Sequence, residues 1–356
     1  MAKLEYRADL KLATATLEAI ERSVVASQDN GFREHLGASV IGRPCERQLW
    51  YAFRWAKKSS HDGRTLRLFA RGQREEDEIF ALLRNAGIEV VQTDNATGRQ
   101  FSFSHIGGHF GGSMDGACVG LPEAPAKWHV VECKTSNAKS FNELEKSGVK
   151  KVKPDHWAQM QMYMAWTGMD RALYIAVCKD DDRLHLERIE ADHGAQKTLT
   201  DKAQRIISSP TPPDGISTDP SWYECKWCDY SEICHGTEVP LPTCRSCGHS
   251  TPEIDGNARW SCARHKADID AIMQREGCGA HRYIPALLSN FAEAVDGSEP
   301  DNWVQYRNKK TGYTFTNGAM PEGYESEEIH ACECKDALGD PAVQEFRQTF
   351  SARVTA

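Results

Sequence analysis

Alternating apolar and polar positions divide the first part of the chain into helices and strands. Leu10, Leu17 and Ile20 recur at helical spacing, and a longer amphipathic pattern ends at Gly87. Short apolar runs bounded by glycine, proline or charged residues predict strands. Helices are predicted over 8–30, 46–55, 65–86, 155–167 and 193–208, and strands over 88–93, 100–104, 115–119, 129–135, 172–178 and 184–189. This alternation predicts an α/β core with a mixed sheet flanked by helices.

The strand predicted over 129–135 is apolar but ends in polar residues. Because strand side chains alternate between faces, Glu132 and Lys134 point to the same side. Charged groups are costly to place inside a fold, so this pair is expected to have a function. A glycine-rich turn, 112–116, supplies a second carboxylate, Asp115. Two carboxylates and a lysine are the groups needed to hold Mg²⁺ or Mn²⁺ on a phosphodiester.

Two helices add polar pairs at a spacing of four residues, which places each pair on one helix face. Gly72 and Glu76 lie on the helix before the glycine-rich turn, and Gln159 and Tyr163 lie on the helix after the central strand. A glycine at position 72 is expected to let its helix approach another backbone closely. The neighbouring acids of Glu76 are interpreted as solvated.

Length, charge and cysteine usage restrict the class of protein. A chain of 356 residues corresponds to about two to three domains. The net charge of −8 means that nucleic acid would need a local basic groove, for which 146–153, with four lysines, is a candidate; a solvated face is the alternative. Neither a membrane span nor a signal peptide is recognisable, so a cytoplasmic protein is expected. The 13 cysteines then indicate metal binding rather than disulfides.

Taken together, these residues resemble the PD-(D/E)xK nuclease superfamily, in particular its RecB-like branch. The motifs of that branch correspond here to Gly72–Glu76, Gly112–Asp115, Glu132–Lys134 and Gln159–Tyr163, in the same order and spacing. The resemblance covers roughly residues 35–235 and implies a restriction-endonuclease-like core. Glu76 stands where many iron–sulfur members carry histidine, and glutamate fits the variants that resemble phage exonucleases.

The resemblance implies a role for each motif residue. The carboxylates of Asp115 and Glu132 and the carbonyl of Cys133 are expected to bind the metal ion. Glu76 would complete that site or act on it indirectly. Lys134 would orient or deprotonate the attacking water and offset charge in the transition state. Gln159 and Tyr163 would position the DNA backbone or the lysine. The alternative is a structural salt-bridge cluster.

A first cysteine set has the spacing Cys225-x₂-Cys228-x₅-Cys234. Three thiols are one short of the four that an iron–sulfur cluster or a tetrahedral zinc ion needs, and Cys45 is the natural fourth. This split arrangement is similar to iron–sulfur nucleases such as the CRISPR adaptation nuclease and AddB. The similarity implies a [4Fe–4S] cluster that joins the two ends of the core; zinc at the same thiols is the alternative.

A second cysteine set follows Pro240. Cys244-x₂-Cys247 with Cys262 is typical of a zinc ribbon. Cys278 is the preferred fourth ligand, because it would tie down the intervening helix, while His265 and His281 remain alternatives. Free thiols in a loop are the other interpretation.

These patterns predict a metal-dependent DNA exonuclease of recombination, repair or phage DNA processing. The expected division is an N-terminal helix (1–35), a nuclease core with its iron–sulfur staple (36–238), a zinc module (239–290) and a small β/α extension (291–356). A phage or prophage origin would suit this layout. A helicase, a single-strand annealing protein or an integrase are candidate partners. A catalytically inactive nucleic-acid-binding module and an iron–sulfur redox protein are the alternative functions.

Overall fold

The computed structural model describes residues 12–28, 31–320 and 322–355. Its helices are α1 (Thr14–Ala26), α2 (Glu46–Phe53), α3 (Gly63–Asn85), α4 (Ala138–Ser147), α5 (Val149–Val152), α6 (Pro154–Thr167), α7 (His193–Ser208), α8 (Tyr223–Lys226), α9 (Ser231–His235), α10 (Ala271–Glu276), α11 (Ser326–Ala331) and α12 (Pro341–Phe350). None of the helices among these residues is both long and apolar enough to cross a bilayer.

The strands of the described residues form one large and three small sheets. They are β1 (Leu36–Gly37), β2 (Glu89–Val91), β3 (Ser102–His105), β4 (Phe110–Ser113), β5 (Gly116–Val119), β6 (His129–Ser136), β7 (Arg171–Cys178), β8 (Leu184–Glu190), β9 (Ser250–Pro252), β10 (Trp260–Cys262), β11 (Ala267–Ile269), β12 (Ala292–Ser298), β13 (Trp303–Asn308) and β14 (Thr314–Gly318). The small sheets have the orders β1-β4-β3, β11-β10-β9 and β12-β13-β14.

The large sheet has the order β2-β5-β6-β7-β8. Strands β6 and β7 are parallel, whereas β2–β5, β5–β6 and β7–β8 are antiparallel. The prediction of an α/β core with a mixed sheet is therefore confirmed. The predicted central strand is the middle strand of this sheet, which explains why its first residues are apolar or fully enclosed.

Helices cover both faces of the sheet. Val131 and Cys133 of β6 pack with Ile79 and Phe80 of α3 on one face. Val130, on the other face of the strand, belongs to the main core that α6 and α7 complete. The alternation of strand side chains thus places Glu132 and Lys134 on the side of α6.

The segment between β6 and α6 contains two helices that were not predicted, α4 and α5. It is helical, because Asn137 accepts a hydrogen bond from the Ser140 N–H at 2.9 Å and caps α4. Phe141 and Leu144, three residues apart, are buried on one face of that helix. The four lysines of 146–153 lie on the last turn of α4, on α5 and at the start of α6.

The N-terminal helix is present from Thr14 to Ala26, and Leu10 lies outside the described residues. The expected apolar stripe is not buried, since Leu17 and Ile20 are exposed. The helix packs against α3, where Glu21 pairs with Arg67 at 2.6 Å. Towards the other end of the chain, within the range expected to form a small β/α extension, the structure has the sheet β12-β13-β14 and the helix α12.

Candidate active site

Asp115 lies between β4 and β5, at the end of the glycine-rich turn. Its Oδ2 accepts a hydrogen bond from the Cys133 N–H at 2.9 Å, so the carboxylate is fixed against β6. Two glycines allow this approach. A Cβ at Gly112 would lie 2.9 Å from the hydroxyl of Tyr163, and one at Gly116 would lie 2.7 Å from the ring of Phe80.

Glu132 and Lys134 form an ion pair within the core. Glu132 is 0% exposed, and one of its oxygens, Oε1, accepts a hydrogen bond from the Lys134 ammonium. The same ammonium donates to the carbonyl of Cys133 at 3.2 Å. The other oxygen, Glu132 Oε2, is buried and has no hydrogen-bond partner among the described residues. An unpartnered carboxylate oxygen at this depth is costly unless a cation or donor reaches it.

Glu76 of α3 completes a group of three carboxylates around one lysine. Burial, with the nearby Asp115 carboxylate, raises the pKa of Glu76 to about 7. Burial, with the charges of Asp115 and Glu76, raises the pKa of Glu132 to about 8, against the opposing effect of Lys134. Burial lowers the pKa of Lys134, but the carboxylates of Glu132 and Asp115 outweigh it and raise the pKa overall. The cluster therefore has an excess of negative charge that a cation would offset.

Gly72 does not have the expected role. A Cβ at this position would meet no atom of the described residues within 4 Å, so α3 makes no close backbone approach there. The helix still presents Glu76 towards Asp115 and Lys134, whose charges shift its pKa.

Gln159 and Tyr163 brace the glycine-rich turn from α6. The Gln159 amide donates to the Tyr163 hydroxyl at 3.1 Å, and that hydroxyl donates to the Ser113 carbonyl at 2.6 Å. Both side chains are buried. In this arrangement they hold the loop of Asp115.

A second pair, of a partly buried histidine and a buried tyrosine, was not recognised in the sequence and adjoins the site. His156 Nδ1 lies 2.9 Å from the hydroxyl of Tyr174, and Tyr174 is the register partner of Glu132 on β7. Burial and the nearby Lys134 ammonium lower the pKa of His156 to about 4, so the imidazole is neutral. The available signal was the spacing of His156 three residues before Gln159, on the same helix face.

The donors at the site fit a hard divalent cation. Carboxylate and carbonyl oxygens are the ligands of Mg²⁺ and Mn²⁺, and the unpartnered Glu132 Oε2 is one such donor. As the side chains stand, no group of three or more Cys, His, Asp or Glu residues within the described ranges is arranged to hold a metal ion. Metal binding at this site is accordingly a matter for proposal.

The first cysteine set lies around one cavity of about 510 Å³. Cys45, Cys225, Cys228 and Cys234 all line it, and none of them is in a disulfide. Cys45 directly precedes α2, whereas the other three belong to the α8–α9 segment. Arg47 Nη1 approaches Cys234 Sγ at 3.5 Å. The structure thus brings Cys45 together with three thiols that come much later in the sequence.

The second cysteine set lines another cavity, of about 240 Å³, together with His265 and His281. The ring of His281 is directed to Ser246, with Nε2 at 3.1 Å from the serine hydroxyl. His265 Nε2 lies 3.6 Å from Cys278 Sγ. The remaining thiols that line this cavity are those of Cys244, Cys247 and Cys262.

Residues 60–170 match the family described as the YqaJ-like viral recombinase domain. The matched segment contains Glu76, Asp115, Glu132, Lys134 and the helix of Gln159 and Tyr163. No curated protein matches the chain.

Solved structures show partial similarity. The alkaline exonuclease LHK-Exo from Laribacter hongkongensis, in a complex with dAMP, is 19% identical, with a TM-score of 0.38 over 52% of this chain and 90% of that one. A phage-related exonuclease from Haemophilus somnus 129PT is 12% identical, with a TM-score of 0.34 over 48% of this chain and 91% of that one.

Proposed function

We propose that the protein is a DNA exonuclease that hydrolyses phosphodiester bonds with Mg²⁺ or Mn²⁺. The observation that supports this most directly is the convergence of Asp115, Glu132 and Glu76 around Lys134, with one buried oxygen of Glu132 unpartnered. A structural salt bridge would satisfy that oxygen and would not need three carboxylates for one ammonium. The match of this segment to a viral recombinase domain supports the same function.

Each side chain has a distinct task in this reaction. Asp115, Glu132, the Cys133 carbonyl and Glu76 would hold the cation, which when bound supplies Lewis-acid stabilisation of charge on the phosphate. Lys134, only partly exposed and fixed by Glu132 and the Cys133 carbonyl, would orient the attacking water and offset developing negative charge. Gln159 and Tyr163 would act through the Ser113 carbonyl by keeping Asp115 in place.

Degradation from a DNA end is the mode that suits a recombination function. Digestion of one strand from an end leaves the other strand single, and a single strand is what a pairing reaction needs. We propose DNA as the substrate on this basis. A helicase, a single-strand annealing protein or an integrase is proposed as the protein that uses the product.

A cleavage assay tests the function. End-labelled linear DNA, single- and double-stranded, is incubated with the full chain and Mg²⁺ or Mn²⁺, beside Lys134→Ala and Asp115→Ala. The matched controls are Lys197→Ala and Asp201→Ala, since these two residues form an exposed ion pair on α7. We expect metal-dependent shortening from ends that only the first two variants lose. If the wild type and all variants bind DNA but none of them cleaves it, the result would favour the catalytically inactive binding module.

We also propose a [4Fe–4S] cluster at Cys45, Cys225, Cys228 and Cys234. The support is that these four free thiols line one cavity between α2 and the α8–α9 segment. Its role would be to join the two ends of the nuclease core. Protein purified without oxygen should contain iron and acid-labile sulfide, and Cys228→Ser should lose both. Zinc alone at these thiols would support the alternative, and cleavage that requires one oxidation state would support a redox function.

A further inference from the structure

We propose that the segment 244–278 holds a structural zinc ion bound by Cys244, Cys247, Cys262 and Cys278, and that this ion also balances the charge of buried arginines. The site is separate from the nuclease centre and from the first cysteine set. Its support comes from two independent observations, the arrangement of the thiols and the surroundings of three guanidinium groups.

The thiols come from four places that meet at one cavity. Cys244 and Cys247 bracket a tight turn in which the Cys247 N–H donates to the Cys244 carbonyl at 3.1 Å. Cys262 ends β10, whose register partner at that position is Ser250 of β9. Cys278 follows Gly277, a residue with φ of 66° that turns the chain back after α10. A two-cysteine turn beside a three-stranded antiparallel sheet is the usual setting of a tetrahedral zinc site.

Three arginines are buried around this segment and form no salt bridge with a carboxylate of the described residues; Glu34 and Glu325 act on Arg245 and Arg282 only from beyond salt-bridge distance. Arg54, Arg245 and Arg282 are 3%, 2% and 4% exposed. Ion pairs of the described residues involve other arginines, and these three have only carbonyl, amide and aromatic contacts, such as Arg245 Nη1 to the Phe53 carbonyl at 3.0 Å. Buried positive charges with no compensating negative charge are strongly unfavourable.

The arginines lie next to the thiols. Arg54 and Cys247 line a common cavity, whereas the guanidinium of Arg245 has Glu34, and not a thiol, as its negatively charged neighbour. The carbonyl of Arg282 accepts a hydrogen bond from Gly248, the residue after Cys247, at 2.8 Å. Four thiolates on one Zn²⁺ carry a net negative charge, so the zinc–thiolate site would offset the charge of Arg54 and Arg282, on which Cys247 acts.

Charge and geometry also decide among the possible fourth ligands. A fourth thiolate gives more negative charge than a neutral imidazole would, which favours Cys278. His265 Nε2, 3.6 Å from Cys278 Sγ, is placed to donate to that thiolate from outside the coordination sphere. His281 is 1% exposed and engaged with Ser246. In the part of the chain that the structure describes, no three or more Cys, His, Asp or Glu side chains are arranged for metal binding as they stand, so the four sulfur atoms must move together around the ion.

Metal analysis of the full chain tests the proposal. Protein from zinc-supplemented medium is analysed for zinc and iron as the wild type, Cys247→Ser, Cys262→Ser and the control Cys334→Ser, whose cysteine is exposed elsewhere. We expect about one zinc ion per chain in the wild type and the control, and its loss in the other two variants with iron unchanged. Absence of zinc from the wild type, or its retention in both variants, would overturn the proposal.

X-ray absorption at the zinc edge of the wild type provides a second test that does not depend on whether the variants fold. Four sulfur neighbours are expected. Three sulfur neighbours and one nitrogen would overturn the assignment of Cys278, and a nitrogen- or oxygen-rich shell would overturn the site. Zinc at the first cysteine set is recognised because Cys228→Ser would remove it while Cys247→Ser would not. None of these measurements depends on DNA cleavage.

Discussion

The single residue with the largest consequence is Glu132. It is enclosed on all sides and paired through one oxygen to Lys134, while its other oxygen has no hydrogen-bond partner in the described ranges. Its position in the strand was evident from the alternation of apolar residues, whereas its unpartnered oxygen depends on β5, β7 and α6 closing around it. The chemistry of the site follows from this combination of burial and incomplete pairing.

Substitution of Glu132 by glutamine should remove metal-dependent cleavage. The amide keeps the shape of the side chain but cannot supply an anionic ligand, so we expect activity to fall by at least about 100-fold. Metal affinity measured by calorimetry should fall in parallel. Glu145→Gln, at an exposed ion pair with Arg183, is the matched control. Retention of metal affinity by the Glu132 variant would contradict the ligand assignment.

Metal binding to the metal-free protein should release protons. The pKa of Glu76 is raised to about 7 and that of Glu132 to about 8, so both carboxyls are largely protonated at pH 6. A cation must displace those protons, and affinity should therefore rise with pH and level off above about pH 8. Calorimetry of Mn²⁺ binding in buffers of different ionisation enthalpy measures the released protons. Constant affinity from pH 6 to 9 would refute this linkage.

At the scale of elements, the site depends on how α6 and β5 approach their neighbours. Tyr163 reaches Ser113 because Gly112 has no side chain, and β5 passes Phe80 because Gly116 has none. The spacing of these residues was visible in the sequence. Their hydrogen bonds to each other and to the glycine-rich turn were not, because these depend on the depth at which α6 packs.

Tyr163→Phe tests the brace between α6 and the glycine-rich turn. It deletes one buried hydrogen bond to the Ser113 carbonyl and the acceptor for Gln159. We expect the free energy of unfolding to fall by about 1–2 kcal/mol and cleavage to fall by about 10-fold. Tyr313→Phe, at a partly exposed ring, should change neither. A loss confined to DNA affinity would instead indicate direct contact between Tyr163 and substrate.

Two glycine substitutions should change stability in opposite directions. At Gly116 a methyl group would meet the Phe80 ring at 2.7 Å and the Val91 carbonyl at 2.8 Å, so Gly116→Ala should destabilise the fold by about 1–3 kcal/mol. At Gly72, within α3, a methyl group meets nothing within 4 Å, so Gly72→Ala should stabilise it by about 0.5–1 kcal/mol. Thermal melting of both variants checks the signs, and destabilisation at Gly72 would show an unrecognised contact.

At the scale of the whole molecule, the sequence predicts local elements better than their assembly. Helix α7 has the predicted bounds, and β6 is the central strand because its apolar pattern is strong. The α4–α5 helices escaped detection because charged residues mask the Phe141 and Leu144 positions. Contacts between distant segments, such as Cys45 with the α8–α9 thiols, depend on tertiary packing that periodicity does not record.

The segment after Pro240 is packed into the α/β core rather than attached at its surface. His109, in the segment that leads to Asp115, has Nε2 at 2.9 Å from the Glu253 carbonyl, and its ring lies against Trp260. The Arg245 guanidinium lies 3.7 Å from the centre of the Trp55 ring. These contacts cross between segments that the sequence suggested were separate domains, so unfolding of one should expose apolar surface of the other.

Calorimetry of the metal-loaded protein should therefore show the nuclease core and residues 244–281 unfolding in one transition. Arg245→Ala removes the stacking on Trp55 and the bonds to the Phe53 carbonyl and Gln274. We expect this variant to lower the free energy of unfolding by about 3–5 kcal/mol, and with it the temperature of the transition. The two segments should still unfold in one transition. Arg264→Ala, at an arginine that donates only to the Pro300 carbonyl near the surface, is the control. Two separate transitions in the wild type would mean that the buried contacts of His109 and Arg245 contribute little, and that the two segments are independent domains.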